Sequence, residues 1–308
     1  MTRVLLTGAT GFVGSAVLAS LPASTRVLGR TVPELPCEFF KAELLPTQDF
    51  LPALQGIDVV VHCAARAHVM HETSVNPLEQ YRLVNTHATL ALAQQAAQAG
   101  VTRFVFVSSV KVNGEETLPQ RPFTHLDVAD PVDPYGLSKA EAEWGLRKIG
   151  QETGMEITVI RPPLVYGPGV KANFAAMLKL AKRNLPLPFG AVRNARSLVA
   201  LDNLVDLIKL CIEHPAAANQ TFLVSDGHDV STTELLQEMT KAWGKQPRLI
   251  PIPVGLLRWL LRLLGKQAIS ERLFGSLQVD ISHTRQTLGW APKPLLAKTL
   301  QQCVKFVK

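Results

Sequence analysis

The sequence predicts an α/β protein: a doubly wound parallel sheet with a smaller region toward the C-terminus. Three observations carry that prediction. Short apolar segments alternate with helical ones through the first half of the chain. Those segments are apolar at consecutive positions, as strands covered by helices on both faces must be. The first of them also runs straight into a glycine-rich turn that opens a helix, the place where such sheets hold phosphates.

Val4–Thr7 is the first strand. Residues 12–21 follow as a helix, with Val13, Val17 and Leu21 along one face. Residues 25–28 and 58–63 read as strands, the second β-branched and apolar. Residues 83–99 are alanine-rich and read as a helix stopped by Gly100. A buried strand is expected at 103–108. A helix is expected at 134–149, with Asp133 as its N-cap and Pro134 in its first turn. Another strand is expected at 157–160. After Arg161-Pro162-Pro163 the rhythm breaks, and prolines and glycines cluster at 162–169 and 185–190. The expected division is a dinucleotide-binding domain over 1–164 and a smaller, discontinuous region over 165–308. Residues 256–264 form a leucine-rich stripe with Arg258 and Arg262 at i, i+4. Such a stripe is either an interfacial membrane helix or a helix packed on the small region, and packing is the commoner use.

Composition narrows the class. Hydrophobic residues make up 47% of the 308 and charged residues 19%. That is an ordinary globular mixture, which excludes a disordered chain, a coiled coil or a collagen-like fibre. No apolar run reaches the ~18 residues of a membrane span. The N-terminus lacks a signal-peptide core, so a cytoplasmic location is expected. The 32 basic residues exceed the 25 acidic ones by seven but are dispersed, which favours small phosphate-bearing ligands over nucleic acid. Four cysteines without CxxC spacing argue against disulfides and a structural zinc. His68-Val69-Met70-His71-Glu72 lacks the spacing that sets two histidines on one helical face, so no metal is expected there.

The turn reads Thr7-Gly8-Ala9-Thr10-Gly11-Phe12-Val13-Gly14. Gly8 allows the tight turn, Gly11 lets the backbone approach a pyrophosphate, and Gly14 lets the helix pack on the strand. Thr10, Phe12 and Val13 complete the phosphate cradle. The expected ligand is NAD or NADP. An acid at the end of the second strand would bind the ribose 2′-hydroxyl of NAD. The chain instead has Leu28-Gly29-Arg30-Thr31, and Arg30 suits a 2′-phosphate, which tilts the expectation to NADP.

Tyr135-Gly136-Leu137-Ser138-Lys139 sets a phenol and an ammonium one helical turn apart. The cation is expected to lower the phenol pKa toward working pH. Such a tyrosine can exchange a proton with a substrate hydroxyl while hydride moves at the same carbon. Ser109, at the C-terminal end of a strand, can hydrogen-bond the reacting oxygen. Ser109, Tyr135 and Lys139 are the expected catalytic residues.

With these motifs the chain resembles the extended short-chain dehydrogenases/reductases of the NAD-dependent epimerase/dehydratase family, whose sheet is of Rossmann type. The likeness extends to His62-Cys63-Ala64-Ala65, Asn85, Ser108-Ser109, Arg161-Pro162, Val165-Tyr166-Gly167-Pro168-Gly169 and Leu288-Gly289-Trp290-x-Pro292. It implies that Cys63, Ala64, Ala65, Asn85, Tyr135, Lys139 and Pro162 line the dinucleotide, with Glu43 and Leu44 near adenine. It also implies a UDP-sugar substrate, with Lys111, Asn173, Arg196 and Arg272 as candidate contacts. Homodimers through two long helices, here including 134–149, are common in the family. Members that dehydrate sugars follow the serine or threonine with Asp-Glu. Val110-Lys111 stands there instead, which argues against dehydration. The family's usual Val-Tyr-Gly reads Val112-Asn113-Gly114, a departure in the expected sugar pocket. The finer resemblance is to enzymes that reduce UDP-4-keto-6-deoxy-N-acetylhexosamines for surface polysaccharide. A UDP-hexose or UDP-N-acetylhexosamine 4-epimerase is the alternative. A non-catalytic assembly or sensor protein is a third possibility, disfavoured because serine, tyrosine and lysine are all kept.

Overall fold

The computed structural model describes residues 2–67, 76–118, 120–265 and 267–307, with side chains except at 267–269 and 272. The strands in chain order are β1 (Val4–Thr7), β2 (Arg26–Gly29), β3 (Glu38–Lys41), β4 (Val59–His62), β5 (Arg103–Val107), β6 (Glu156–Arg161), β7 (Leu164–Tyr166), β8 (Leu198–Ala200) and β9 (Thr221–Leu223). Seven of them form one parallel sheet in the order β3-β2-β1-β4-β5-β6-β9, while β7 and β8 pair separately. The chain leaves β1 toward β2 and then returns to β1's other side as β4. The resulting crevice lies at the carboxyl ends of β1 and β4, where open sheets of this kind bind ligands.

Alternate side chains serve opposite faces, because successive residues of a strand point to opposite sides. Leu6, Val61 and Val105 pack against Val17 and Leu18 of α1 (Phe12–Ser20) and against Leu204 and Ile208 of a later helix. On the other face, Leu5, Val60, Phe104 and Phe106 meet the short α2 (Leu51–Leu54) and two longer helices. After α3 (Pro77–Tyr81), these are α4 (Thr89–Gln98), with Leu92 and Ala96, and α5 (Pro134–Thr153), with Leu146 and Ile149. Asp133 caps α5 as expected, its carboxylate accepting from the Gly136 N–H at 2.6 Å. The helix runs four residues past the expected end, to Gly154 in the left-handed region at φ +80°.

The second half adds α6 (Ala172–Arg183), α7 (Leu201–Glu213), α8 (Thr232–Ala242), α9 (Val254–Leu263), α10 (Gln267–Phe274), α11 (Ser282–Leu288) and α12 (Leu296–Phe306). Its own core joins Phe174, Leu178, Leu235, Met239, Leu300 and Cys303. A cut at residue 164 does not follow the sheet. β9 pairs with β6, and α7 supplies the Leu204 and Ile208 that cover one sheet face.

One local reading is corrected and one is extended. The helix expected over 83–99 begins as a π-helix, Arg82–Ala88, before α4. The wider turn alters which side chains share a face. The leucine-rich α9 packs on the small region as expected, through Leu257, Val254 and Leu261, but Leu256, Trp259, Leu260 and Leu263 are exposed. No described helix is long and apolar enough to cross a membrane.

Candidate active site

The glycine turn is fixed by contacts that a methyl group would abolish. Gly8 sits at φ +76°, and a Cβ there would lie 2.6 Å from the Ala64 nitrogen. A Cβ on Gly14 would lie 2.1 Å from the Gly8 oxygen. The turn therefore packs against the chain leaving β4, and α1 starts directly beneath it. Gly11 is the N-cap of α1 and offers no side-chain cap, so no side chain of the cap covers the first-turn N–H groups. Thr10 and Gly11 are exposed, Phe12 and Val13 half-buried. An uncapped helix start behind a turn of small residues fits a dinucleotide diphosphate. Cys63, Ala64 and Ala65 lie half-buried opposite the turn. Arg30 is exposed just past β2; Glu43, exposed, and Leu44, half-buried, follow β3 on the same edge.

Beneath the crevice, buried His62 spans two hydroxyls: Thr7 Oγ1 lies 2.8 Å from Nδ1 and Thr89 Oγ1 3.0 Å from Nε2. Thr7 Oγ1 also accepts from the Ala64 N–H at 3.3 Å, which ties the loop to β1. Burial, aided by the Lys139 charge, pushes the His62 pKa down from 6.5 to about 3. The folded protein keeps this ring neutral while the unfolded chain takes up its proton below about pH 6.5. Its contribution to stability is therefore present above 6.5 and lost as pH falls toward about 3. Between about pH 7 and about pH 5 the loss is about 2 kcal/mol. Urea denaturation at the two pH values is expected to reveal a smaller difference for His62→Gln, and an equal difference would refute this account.

Tyr135 and Ser109 come together because the start of α5 packs tightly on the segment after β5. A Cβ on Gly136 would stand 2.7 Å from the Lys111 oxygen. Ser109 accepts from the Lys111 N–H at 3.2 Å, capping a 3-10 turn at Val110–Val112, and its side chain hydrogen-bonds Tyr135. Lys139, one turn further along α5, is 1% exposed. Its Nζ donates to the Val107 oxygen at 2.9 Å and lies 4.3 Å from the Phe106 ring centre. Burial lowers its pKa from 10.5 to about 8, against the opposing effect of Cys63 and Glu143. The expected lowering of the phenol is not found. Burial raises the Tyr135 pKa, Asp133 and Tyr81 add to the rise, and the bond to Ser109 opposes it. Burial dominates, and the lysine, held on the Val107 carbonyl and the Phe106 face, is not among the groups that shift the phenol.

The remaining expected residues divide by surroundings. Asn85 is buried in the π-helix and fully engaged: its Oδ1 accepts from the Arg66 N–H at 2.8 Å, and its Nδ2 donates to the Arg66 oxygen at 3.1 Å and to Ser138 Oγ at 3.0 Å. It clamps the loop after β4 to α5. Pro162 is buried, and its carbonyl accepts from the Val110 N–H at 3.0 Å. Lys111 Nζ pairs with Asp133 and, at 3.3 Å, with Glu115. Arg196 is half-buried and donates to the Gly275 oxygen at 3.1 Å. Asn173 is exposed in the first turn of α6. The Arg272 side chain and the segment 68–72 lie outside the described residues. An open cleft of about 330 Å³ beside Asn113 is walled by Glu115, Glu116, Asp130 and Glu271.

Asn113 lines that cleft but is held from behind. It is 3% exposed, and its Oδ1 accepts from Arg161 at 3.0 Å. Sequence reasoning also missed Tyr81, whose ring meets that of Tyr135 edge-on at 6.1 Å, and Glu143. The signal for Glu143 was present: positions 135, 139 and 143 share one face of α5.

Glycine turn, switch-point crevice and Ser-Tyr-Lys cluster define a dinucleotide-dependent enzyme fold. The chain belongs to the NAD dependent epimerase/dehydratase family, whose profile matches residues 4–225. It is 48% identical to a UDP-glucose 4-epimerase of Vibrio cholerae, over 97% of this chain and 93% of that protein. It is 29% identical to the N-acetyl-alpha-D-glucosaminyl-diphospho-ditrans,octacis-undecaprenol 4-epimerase of Escherichia coli O157:H7, over 97% and 94%. Its fold matches a crystal structure of UDP-glucose 4-epimerase with UDP-glucose from Thermotoga maritima, with a TM-score of 0.78 at 23% identity over 99% of this chain and 98% of the other.

Proposed function

We propose that this protein is a 4-epimerase of a UDP-hexose or UDP-N-acetylhexosamine, working in the cytoplasm. The 48% identity to the Vibrio cholerae UDP-glucose 4-epimerase along nearly the whole chain carries the reading. Val110 and Lys111 support it by leaving no acid–base pair for dehydration. Four free cysteines suit a reducing compartment.

The groups suited to hold the dinucleotide are the Gly8–Gly14 turn with Thr10 and Gly11, the Cys63–Ala65 loop, Lys139, and Arg30, Glu43 and Leu44 at the adenine end. When bound, it accepts and returns a hydride and, oxidised, carries a positive charge on its nicotinamide. Tyr135 takes the proton of the C4 hydroxyl and gives it back, and Ser109 hydrogen-bonds the same oxygen. Lys139 anchors the ribose beside the Val107 carbonyl. Asn173, Arg196, Lys111 and Arg272 are our candidates for the sugar and its diphosphate, where an arginine fork suits phosphate oxygens. The outer face of α5, with Trp144 71% exposed, is our candidate contact between two copies.

One observation favours a second reading. The end of β2 carries Arg30 and no carboxylate to grip a ribose. A cofactor that exchanges, NADP(H) in particular, suits net reduction of a UDP-4-keto-6-deoxy-N-acetylhexosamine. The two readings separate in one experiment. A 4-epimerase equilibrates UDP-glucose or UDP-N-acetylglucosamine with its C4 epimer without added reductant, as followed by proton NMR. A reductase leaves these sugars untouched and consumes NADPH or NADH in proportion to the 4-keto sugar. Inactivity on both substrates would overturn the reading.

A further inference from the structure

α9 turns most of its apolar side chains to solvent. Leu256, Trp259, Leu260 and Leu263 fall on one face, since steps of three, four and seven residues return to the same side of a helix. They are 48%, 57%, 42% and 66% exposed. Leu257, on the neighbouring face, is buried with Val192 and Phe274. The helix is thus fastened along one edge and uncovered along the next. Soluble surfaces scatter such side chains singly, and a contiguous group marks something that covers it.

The charge on the helix itself says what that is. α9 (Val254–Leu263) carries two basic side chains, Arg258 and Arg262, and no acidic one. Both lie on the flank beside Trp259. A second copy docked patch to patch would bring two basic rims together, which electrostatic complementarity disfavours. An anionic phospholipid surface asks for this arrangement: a leucine stripe, a tryptophan at the apolar–polar boundary, and arginines whose apolar stems lie along the interface while their heads meet phosphate. With ten residues, α9 is too short to span a bilayer but long enough to lie in its surface.

We propose that α9 docks this protein in the plane of an anionic phospholipid surface, with Trp259, Leu260 and Leu263 inserted among the headgroups and Arg258 and Arg262 on the phosphates. The proposal is independent of the reaction performed at the crevice.

The test is sedimentation of the purified full chain with vesicles of phosphatidylcholine containing about 30% phosphatidylglycerol, and with phosphatidylcholine alone. Wild type is expected to pellet with the anionic vesicles at least about ten-fold more than with the neutral ones. Trp259→Glu with Leu263→Glu, and separately Arg262→Glu, should abolish or sharply reduce pelleting while leaving dinucleotide binding unchanged, which checks the fold. A blue shift of tryptophan emission on vesicle addition should vanish in Trp259→Phe. Wild type that stays in the supernatant, or variants that pellet like wild type, would overturn the proposal. So would an α9 variant that lowers the solution mass by light scattering in a chain indifferent to vesicles, since a second copy would then be what covers the patch.

Discussion

Tyr135→Phe is expected to lower turnover by about 10²–10⁴-fold while leaving dinucleotide affinity near wild type. The substitution removes one oxygen and keeps the ring that meets Tyr81 edge-on at 6.1 Å. The start of α5 is held by Asp133 and by the close approach of Gly136 to Lys111, neither of which involves the phenol. What disappears is a proton donor and acceptor paired with Ser109. Steady-state kinetics would measure the loss, and titration with reduced dinucleotide, followed by its fluorescence, would measure binding. A variant retaining more than about a tenth of wild-type turnover would remove the tyrosine from the proton path. Burial, Asp133 and Tyr81 raise the phenol pKa in the chain alone, and a positively charged dinucleotide held beside it would favour its ionisation. Lys139 holds its own proton until about pH 8.

The sheet was legible because its strands obey a rule that acts locally: a strand covered on both faces is apolar at every position. β1, β4 and β5 depart from it at one end only, at Thr7, His62 and Arg103, and are buried throughout. β3 escaped because Glu-Phe-Phe-Lys is a four-residue edge strand, half-covered and polar at both ends. β9 escaped because three residues far along the chain carry no periodicity, and their place is set by pairing with β6. At the site, the motif named Tyr135 and Lys139 but misjudged the phenol, since the lysine's partners, Val107 and Phe106, come from another element. The π-helix was invisible for a similar reason. Residues 82–98 are alanine-rich and helix-forming, but the wide turn puts Asn85 where it clamps Arg66 and Ser138, a requirement of the tertiary structure. α9 was read correctly as an amphipathic helix packed on the small region, where Leu257, Val254 and Leu261 join a core, but periodicity could not show that its other apolar face turns outward.

Glu143→Ala is expected to destabilise the fold by about 3–5 kcal/mol, the cost of leaving a buried charge without its partner. Glu143 is 3% exposed and Arg161 6%. Arg161 donates to the Glu143 carboxylate through Nε at 3.0 Å and a terminal nitrogen at 2.6 Å, and Ser108 Oγ donates to it at 2.6 Å. The other terminal nitrogen reaches Asn113 Oδ1 at 3.0 Å, and Asn113 Nδ2 donates to the Thr124 oxygen at 3.2 Å. One carboxylate thus joins α5, the end of β5, the end of β6 and the loop beyond Ser109, directly behind the catalytic face. The Asn113 side chain is short enough to end inside this network, and that is its physical role here. Urea denaturation of Glu143→Ala would give the magnitude. Replacing the pair, Glu143→Met with Arg161→Met, should recover much of the loss because neither charge is then stranded. If the single variant costs under about 1 kcal/mol, the pair is not the clamp described, because a surface pair would cost no more. If the double variant regains stability but still turns over slowly, the charges are kept to aim Ser109 at Tyr135. Recovery of both stability and turnover would mean that packing alone sets that geometry.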